Sequence, residues 1–333
     1  MFVKKFSLIL VIFLSLGMLL AACGGGSEGG SEGESGGESG GSDWVENVTF
    51  LTGGEAGTYF PLGTAMADVV TNNVDGVTVN ALVSGASVVN INDISAGEAD
   101  LALVQNDTAF YAQEGSKMFE EVKDGYSGVF TIYPETIQIV TTADSGIETV
   151  EDLVGKRVAV GDVGSGTEAN AEQILGAHDI TFDDISAEHM GFGDASTNLQ
   201  DGNIDAAFVT SGTPTASIQE LSATTDIRLV SINEDKIKQL MDEYPYYAKQ
   251  EISADSYENF DSTATTVAVQ AMLIASNDLP EDQVYEMVKA IFENKGDIEE
   301  AHERGKELTV ETAQDGMSID LHPGAEKYLN EQE

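Results

Sequence analysis

Two phrases far apart in the chain are written almost alike. AGEADLALVQ (Ala96–Gln105) and DGNIDAAFVT (Asp201–Thr210) share the pattern Gly, two residues, Asp, apolar, Ala, apolar, Val, polar. In each, a glycine that can end a helix precedes a run of uncharged residues of strand length. Such a run, with no polar alternation, is a strand covered on both faces, and a largely parallel sheet with helices on either side provides that cover. A second pair precedes these in the same order: LTGGEAGT (Leu51–Thr58) and VGDVGSGT (Val160–Thr167) each read as strand, glycines, Gly-Thr. The spacing differs by one residue, so this is not a strict repeat, but the matched order points to two similar α/β lobes.

The elements between these phrases keep the same alternation. Val48–Thr52, Val77–Leu82 and Asp100–Val104 read as strands, with a helix after Pro61 and another over Val88–Ser95. Arg157–Val160 and Asp205–Val209 are strands of the second set, with a helix over Glu168–Leu175. Such alternation predicts a mostly parallel sheet with helices on both faces. Ile137–Thr142 and Thr266–Ile274 are strand-like segments placed where a chain would leave one lobe and return to it, and two such crossings make a hinge. The expected division is residues 44–137 and 271–333 for the first lobe and 138–270 for the second. The helical segment after Pro280 is expected to pack back on the first lobe.

The N-terminus is read as an export signal. Lys4 and Lys5 precede the apolar run Phe6–Leu20, which ends in Leu20-Ala21-Ala22-Cys23. The run is short for a membrane span, which needs about 20 residues. Cys23 is the only cysteine in the chain and stands at a cleavage position. The expectation is a lipoprotein: residues 1–22 a signal peptide, Cys23 lipidated by palmitate or a similar acyl group, and residues 23–43 a Gly/Ser/Glu linker. A flexible coil of about 20 such residues spans roughly 25 Å. The folded part would then be extracytoplasmic and anchored to the cell membrane by lipid. The formal net charge is −43, which argues against nucleic acid as a partner and against a basic patch on anionic lipid.

The glycine turns are where chemistry is expected. VGDVGSGTEAN (Val160–Asn170) has the look of a phosphate loop but carries Gly166-Thr167-Glu168 where such a loop carries Gly-Lys-Ser/Thr. Backbone amides at a helix start, with the roughly +0.5 charge there, suit a carboxylate without any lysine. Ser165-Gly166-Thr167-Glu168 is equally a capping box, which needs no ligand. Two such turns, one per lobe, suggest the opposed walls of a cleft. The tips Gln105–Thr108 and Thr210–Thr215 follow buried strands and would end up beside it. His178, His189, His302 and His322 have no metal-ligand spacing, and no hydrolase motif is present. No metal, cofactor or catalytic residue is expected, and the chain reads as a binding protein rather than an enzyme.

Taken together these motifs resemble the extracytoplasmic solute receptors of TRAP transporters, TAXI subfamily. TGGEAGTYFPLGTAMADVV (Thr52–Val70), ADLALVQNDTAFYA (Ala99–Ala112), VAVGDVGSGTEANAEQIL (Val158–Leu175) and DGNIDAAFVTSGTPTASIQEL (Asp201–Leu221) are similar to that family's successive signatures. The resemblance covers nearly everything from Val48 to Tyr328. It implies a two-lobed periplasmic-binding-protein fold of the second type with a two-strand hinge. The implied partner is an ion-gradient-driven permease that receives a small organic acid or acidic amino acid. The implied ligand contacts are Gly57, Thr58, Tyr59, Gln105, Asp107, Ser165, Gly166, Thr167, Asn170, Thr210, Ser211 and Gly212. The alternative that keeps the fold is a receptor for an ATP-driven importer, or a sensor.

Overall fold

The computed structural model describes residues 44–332, so the signal peptide, Cys23 and the linker lie outside the described residues. No described helix is long and apolar enough to cross a membrane. In chain order the first elements are β1 (Asn47–Leu51), α1 (Tyr59–Asn73), β2 (Thr78–Leu82), α2 (Ser87–Ser95), β3 (Leu101–Gln105), α3 (Asn106–Glu114) and β4 (Tyr126–Thr142). There follow β5 (Arg157–Ala159), α4 (Gly166–Ala177), β6 (Ser186–Glu188), α5 (Phe192–Gln200), β7 (Ala206–Ser211), α6 (Ala216–Ser222), β8 (Ile227–Leu229), α7 (Glu234–Glu243) and β9 (Ala248–Ile252). The chain then returns through β10 (Ala264–Ser276) to α8 (Glu281–Glu293), α9 (Lys295–Ala301) and α10 (Pro323–Gln332).

One sheet runs through the molecule in the order β2-β1-β3-β10-β4-β7-β5-β6, with β8 on β4 and β9 on β10. Within each half the strands are parallel, β1 with β2 and β3, β5 with β6 and β7. The two central strands are antiparallel to all their partners. The sheet is therefore mixed rather than mostly parallel as the alternation predicts. The physical reason lies in β4 and β10, which run out of one half and back into it and so must oppose the strands that flank them.

The apolar residues form a layer on each face of each half. Phe50, Leu62, Met66, Leu103, Phe130, Val288, Ile291 and Tyr328 cluster on one face of the first half, and Ile91, Ile94, Val104, Tyr126 and Met272 on the other. In the second half Ile137, Val158, Ile174, Leu175, Phe208 and Val267 form one cluster, and Leu199, Val209, Ile218, Leu221 and Phe260 another. Fully burying each such side chain contributes about 1.5–3 kcal/mol. The change of cluster along the chain is abrupt: Tyr133 packs in the first half and Ile137 in the second, while on β10 the change falls between Val269 and Ala271. Pro134 sits in this crossover with no N–H to give the ladder, and the β10 register opposite is irregular between Gln270 and Met272. The C-terminal segment returns to the first half, where the ring of Phe292 meets Phe130 at 5.3 Å and stacks on Tyr328 at 5.6 Å.

Candidate functional site

Strand ends place the site. β1 and β5 each run into a glycine turn, and α1 and α4 start from those turns with their N-terminal amides pointing between the halves. Between them lies a cleft of about 400 Å³. The first half lines it with Gly53–Tyr59, Val83–Ser87 and Gln105. The second half lines it with Asp162, Ser165–Thr167, Gly191–Asp194, Thr210 and Ser211. The crossing strand β4 contributes Tyr133 and Glu135.

The two walls touch. The Thr58 amide donates to Ser211 Oγ at 3.2 Å, and the two hydroxyls lie 2.9 Å apart. The Val89 amide donates to the Gly164 carbonyl at 3.3 Å. The side chain of Gln105 lies so close to Gly166 that a Cβ there would meet Gln105 Oε1 at 2.2 Å. Gly166 is thus needed for approach rather than for conformation.

The α4 turn is capped from within. Ser165 Oγ accepts from the Glu168 amide at 3.1 Å, and Glu168 Oε2 accepts from the Gly164 amide at 2.7 Å. This is the expected box, shifted by one residue because the Ser165 amide is taken by the Asp162 carbonyl at 3.0 Å. Among the described residues the amides of Gly166 and Thr167 find no protein acceptor.

The floor is polar and acidic. Glu135 is buried, 2 % exposed, and accepts a hydrogen bond from the Tyr59 hydroxyl. Burial pushes its carboxyl up to about 8, against the stabilising Tyr59 and Gln105 side chains and with added repulsion from Asp107. Gln105 Oε1, Thr210 Oγ1 and the Tyr133 hydroxyl are buried without a hydrogen-bond partner. Glu55, Asp162 and Asp194 are exposed carboxylates along the same cleft, and no lysine, arginine or histidine is among its lining residues. Arg304 lies behind Gly212, its terminal nitrogens paired with Glu303 and Glu307.

Of the residues expected from sequence, Gly57, Thr58, Tyr59, Gln105, Ser165, Gly166, Thr167, Thr210 and Ser211 come together on the cleft walls. Asp107, Asn170 and Gly212 do not line it. Asp107 lies one step behind the wall, where Asn170 Nδ2 donates to it at 3.2 Å and to the Tyr247 hydroxyl at 3.0 Å. Burial raises the Asp107 carboxyl to about 6. The side chain of Arg304 fills the space a Cβ at Gly212 would take. Sequence reasoning missed Glu135, Tyr133, the Val83–Ser87 loop and Gly191–Asp194. A signal for Glu135 was present, since it is the only charged residue in the 17-residue strand β4.

Residues 50–332 match the protein family described as NMT1-like. PhnD1 from Prochlorococcus marinus, solved in complex with methylphosphonate, is similar in structure at a TM-score of 0.52 and 9% identity, covering 78% of this chain and 90% of that one. A protein of Bordetella bronchiseptica RB50 has a TM-score of 0.52 at 17% identity, covering 86% and 89%. A binding-protein component of an ABC phosphonate transporter from Pseudomonas aeruginosa follows at 0.49 and 12%, covering 78% of each chain. The fold is the two-lobed one of periplasmic binding proteins.

Proposed function

The chain belongs to the NMT1-like family, and on that premise we propose that it is an extracytoplasmic solute receptor that hands its ligand to a membrane permease. One observation carries the reading: a cleft between two lobes, walled by facing helix N-termini and floored by buried polar atoms without partners. A solute with an acid group would take the amides of Gly166 and Thr167 and the Thr167 hydroxyl. Gly57, Thr58, Tyr59, Gln105, Ser165, Thr210 and Ser211 complete the wall, with Asp107, Asn170 and Gly212 holding it from behind. Residues 44–137 with 271–333 and residues 138–270 would close as two lobes on β4 and β10. Closure follows if the solute binds the closed form better than the open one. Cys23 would carry the lipid and the linker would let the receptor reach its permease. No turnover is involved.

Two permease types fit this receptor. The motif resemblance favours a TRAP permease of the TAXI kind, driven by an ion gradient. An ATP-driven importer would take a lipidated receptor of the same architecture, and we keep it as the second reading. Uptake into vesicles holding the receptor and its co-encoded permease separates them: dependence on an imposed ion gradient supports the first, dependence on ATP the second. The receptor reading itself is tested by native mass spectrometry of the purified protein before and after unfolding. A small molecule released unchanged supports it. A protein that neither retains nor takes up any small solute rejects it.

A further inference from the structure

Resting on the receptor reading above, we propose that the cleft selects a solute bearing an ammonium group, and that Glu135 is the residue that selects it. Glu135 stands on the crossing strand at the floor of the cleft, 2 % exposed. The Tyr59 hydroxyl donates to its carboxylate, and the Gln105 side chain stabilises it further. Among the described residues no basic side chain forms an ion pair with Glu135, and Arg304, which lies behind Gly212, has its terminal nitrogens turned to Glu303 and Glu307. A buried carboxylate needs a positive partner or a proton.

Part of the surroundings can take up a donor. Gln105 Oε1, 2 % exposed as a residue, lines the same cleft and has no donor; the Thr210 hydroxyl also has no partner. An ammonium carries three N–H donors and can serve several such oxygens at once. Glu55, Asp162 and Asp194 along the cleft add negative charge and no lining residue is basic. That field repels a dicarboxylate and attracts a cation. The unpartnered amides of Gly166 and Thr167 remain for a single acid group. The chemistry recognised is therefore an ammonium, with or without one carboxylate.

The groups that face Glu135 are Tyr59 from α1, Gln105 and Asp107 from the end of β3 and the start of α3, and Tyr133 from its own strand. With burial raising its carboxyl to about 8, Glu135 is mostly protonated at neutral pH. An ammonium beside it favours the anion, so binding releases a proton and strengthens as pH rises from 6 to 8.

The test is calorimetric titration with matched pairs that differ only in the amine: L-glutamate and glutarate, L-leucine and 4-methylpentanoate, L-serine and 3-hydroxypropanoate, with the remaining L-amino acids and putrescine. Native mass spectrometry of copurified solute accompanies it. The expected result is that at least one amine binds, its nitrogen-free partner binds at least 100-fold more weakly, and titration in two buffers at pH 7 reports proton release. Glu135→Gln should weaken the amine at least tenfold. If that variant does not fold, the matched pairs on the unaltered protein decide. Equal binding of a nitrogen-free acid, a copurified nitrogen-free acid, or unchanged amine binding by Glu135→Gln overturns the proposal and leaves the receptor reading standing. Absence of any bound or retained solute overturns both.

Discussion

The two glycine turns are spelled alike, yet they are held in different ways. The turn before α4 is finished by its own residues: Ser165 takes the Glu168 amide and Glu168 takes the Gly164 amide. The turn before α1 has no side-chain cap and no acid in its first helical turn. Its Thr58 spends both amide and hydroxyl on Ser211 across the cleft, and Pro61 removes a further donor. One helix start is capped by side chains of its own turn, the other by a residue across the cleft. Similar local sequence thus yields a self-capped turn on one wall and a turn tied to the opposite wall on the other.

This contrast can be broken most sharply at the glycines. Gly166→Ala should weaken solute affinity more than about tenfold by calorimetry, because its Cβ would push the end of the Gln105 side chain, a lining group, out of its place in the cleft. Gly176→Ala, late in α4 and away from the cleft, meets nothing within 4 Å and should bind as the unaltered protein does. Equal losses at both positions would mean that the walls do not meet as described.

A second effect belongs to the α1 side, where Tyr59 donates to Glu135. With the folded carboxyl near 8 and the unfolded one near its ordinary 4.5, the folded state holds the extra proton between those values. Stability therefore falls as pH rises from about 4.5 to 8. Glu135→Gln should flatten that part of the Tm-against-pH curve, and a curve of unchanged slope would place the titration elsewhere.

Smaller effects separate the two threonines. Thr167→Val should weaken solute binding about tenfold, or ~1.4 kcal/mol, with Tm preserved. Thr58→Val should act through closure: about 1 kcal/mol, shared with Ser211→Ala in a double-mutant cycle rather than added to it. Additive losses would uncouple the pair. The smallest change in binding is expected at Glu168→Ala. Loss of a cap costs about 1 kcal/mol of stability, roughly 2 °C in Tm for a domain of this size, with affinity nearly unchanged.

Local chemistry was legible in the sequence and tertiary placement was not. The strands β1, β2, β3, β5 and β7 fall within a residue or two of where apolar runs predict them. The glycine turns could be read because helix starts, caps and close approach are written in neighbouring residues. The first half of β4 was not read, since Pro134 and Glu135 interrupt what otherwise looks like a core strand. Their tolerance there comes from the crossover between lobes, which depends on residues more than a hundred positions away on β10. Gln105 and Asp107 show the same limit at short range. The first ends a strand facing the cleft. The second lies in the opening turn of α3, which rotates it behind the wall toward Asn170. Counting along a polar tip cannot say which residue faces forward.

Pro134 and Glu135 sit where the strand passes from one body to the other, and that position has a mechanical consequence. In any clamshell the jaws travel and the axle does not. A carboxyl mounted on the axle keeps its place through the whole stroke, so a visiting molecule meets that fixed point while the jaws are still apart. The jaws would then judge only the part of the molecule that projects outward.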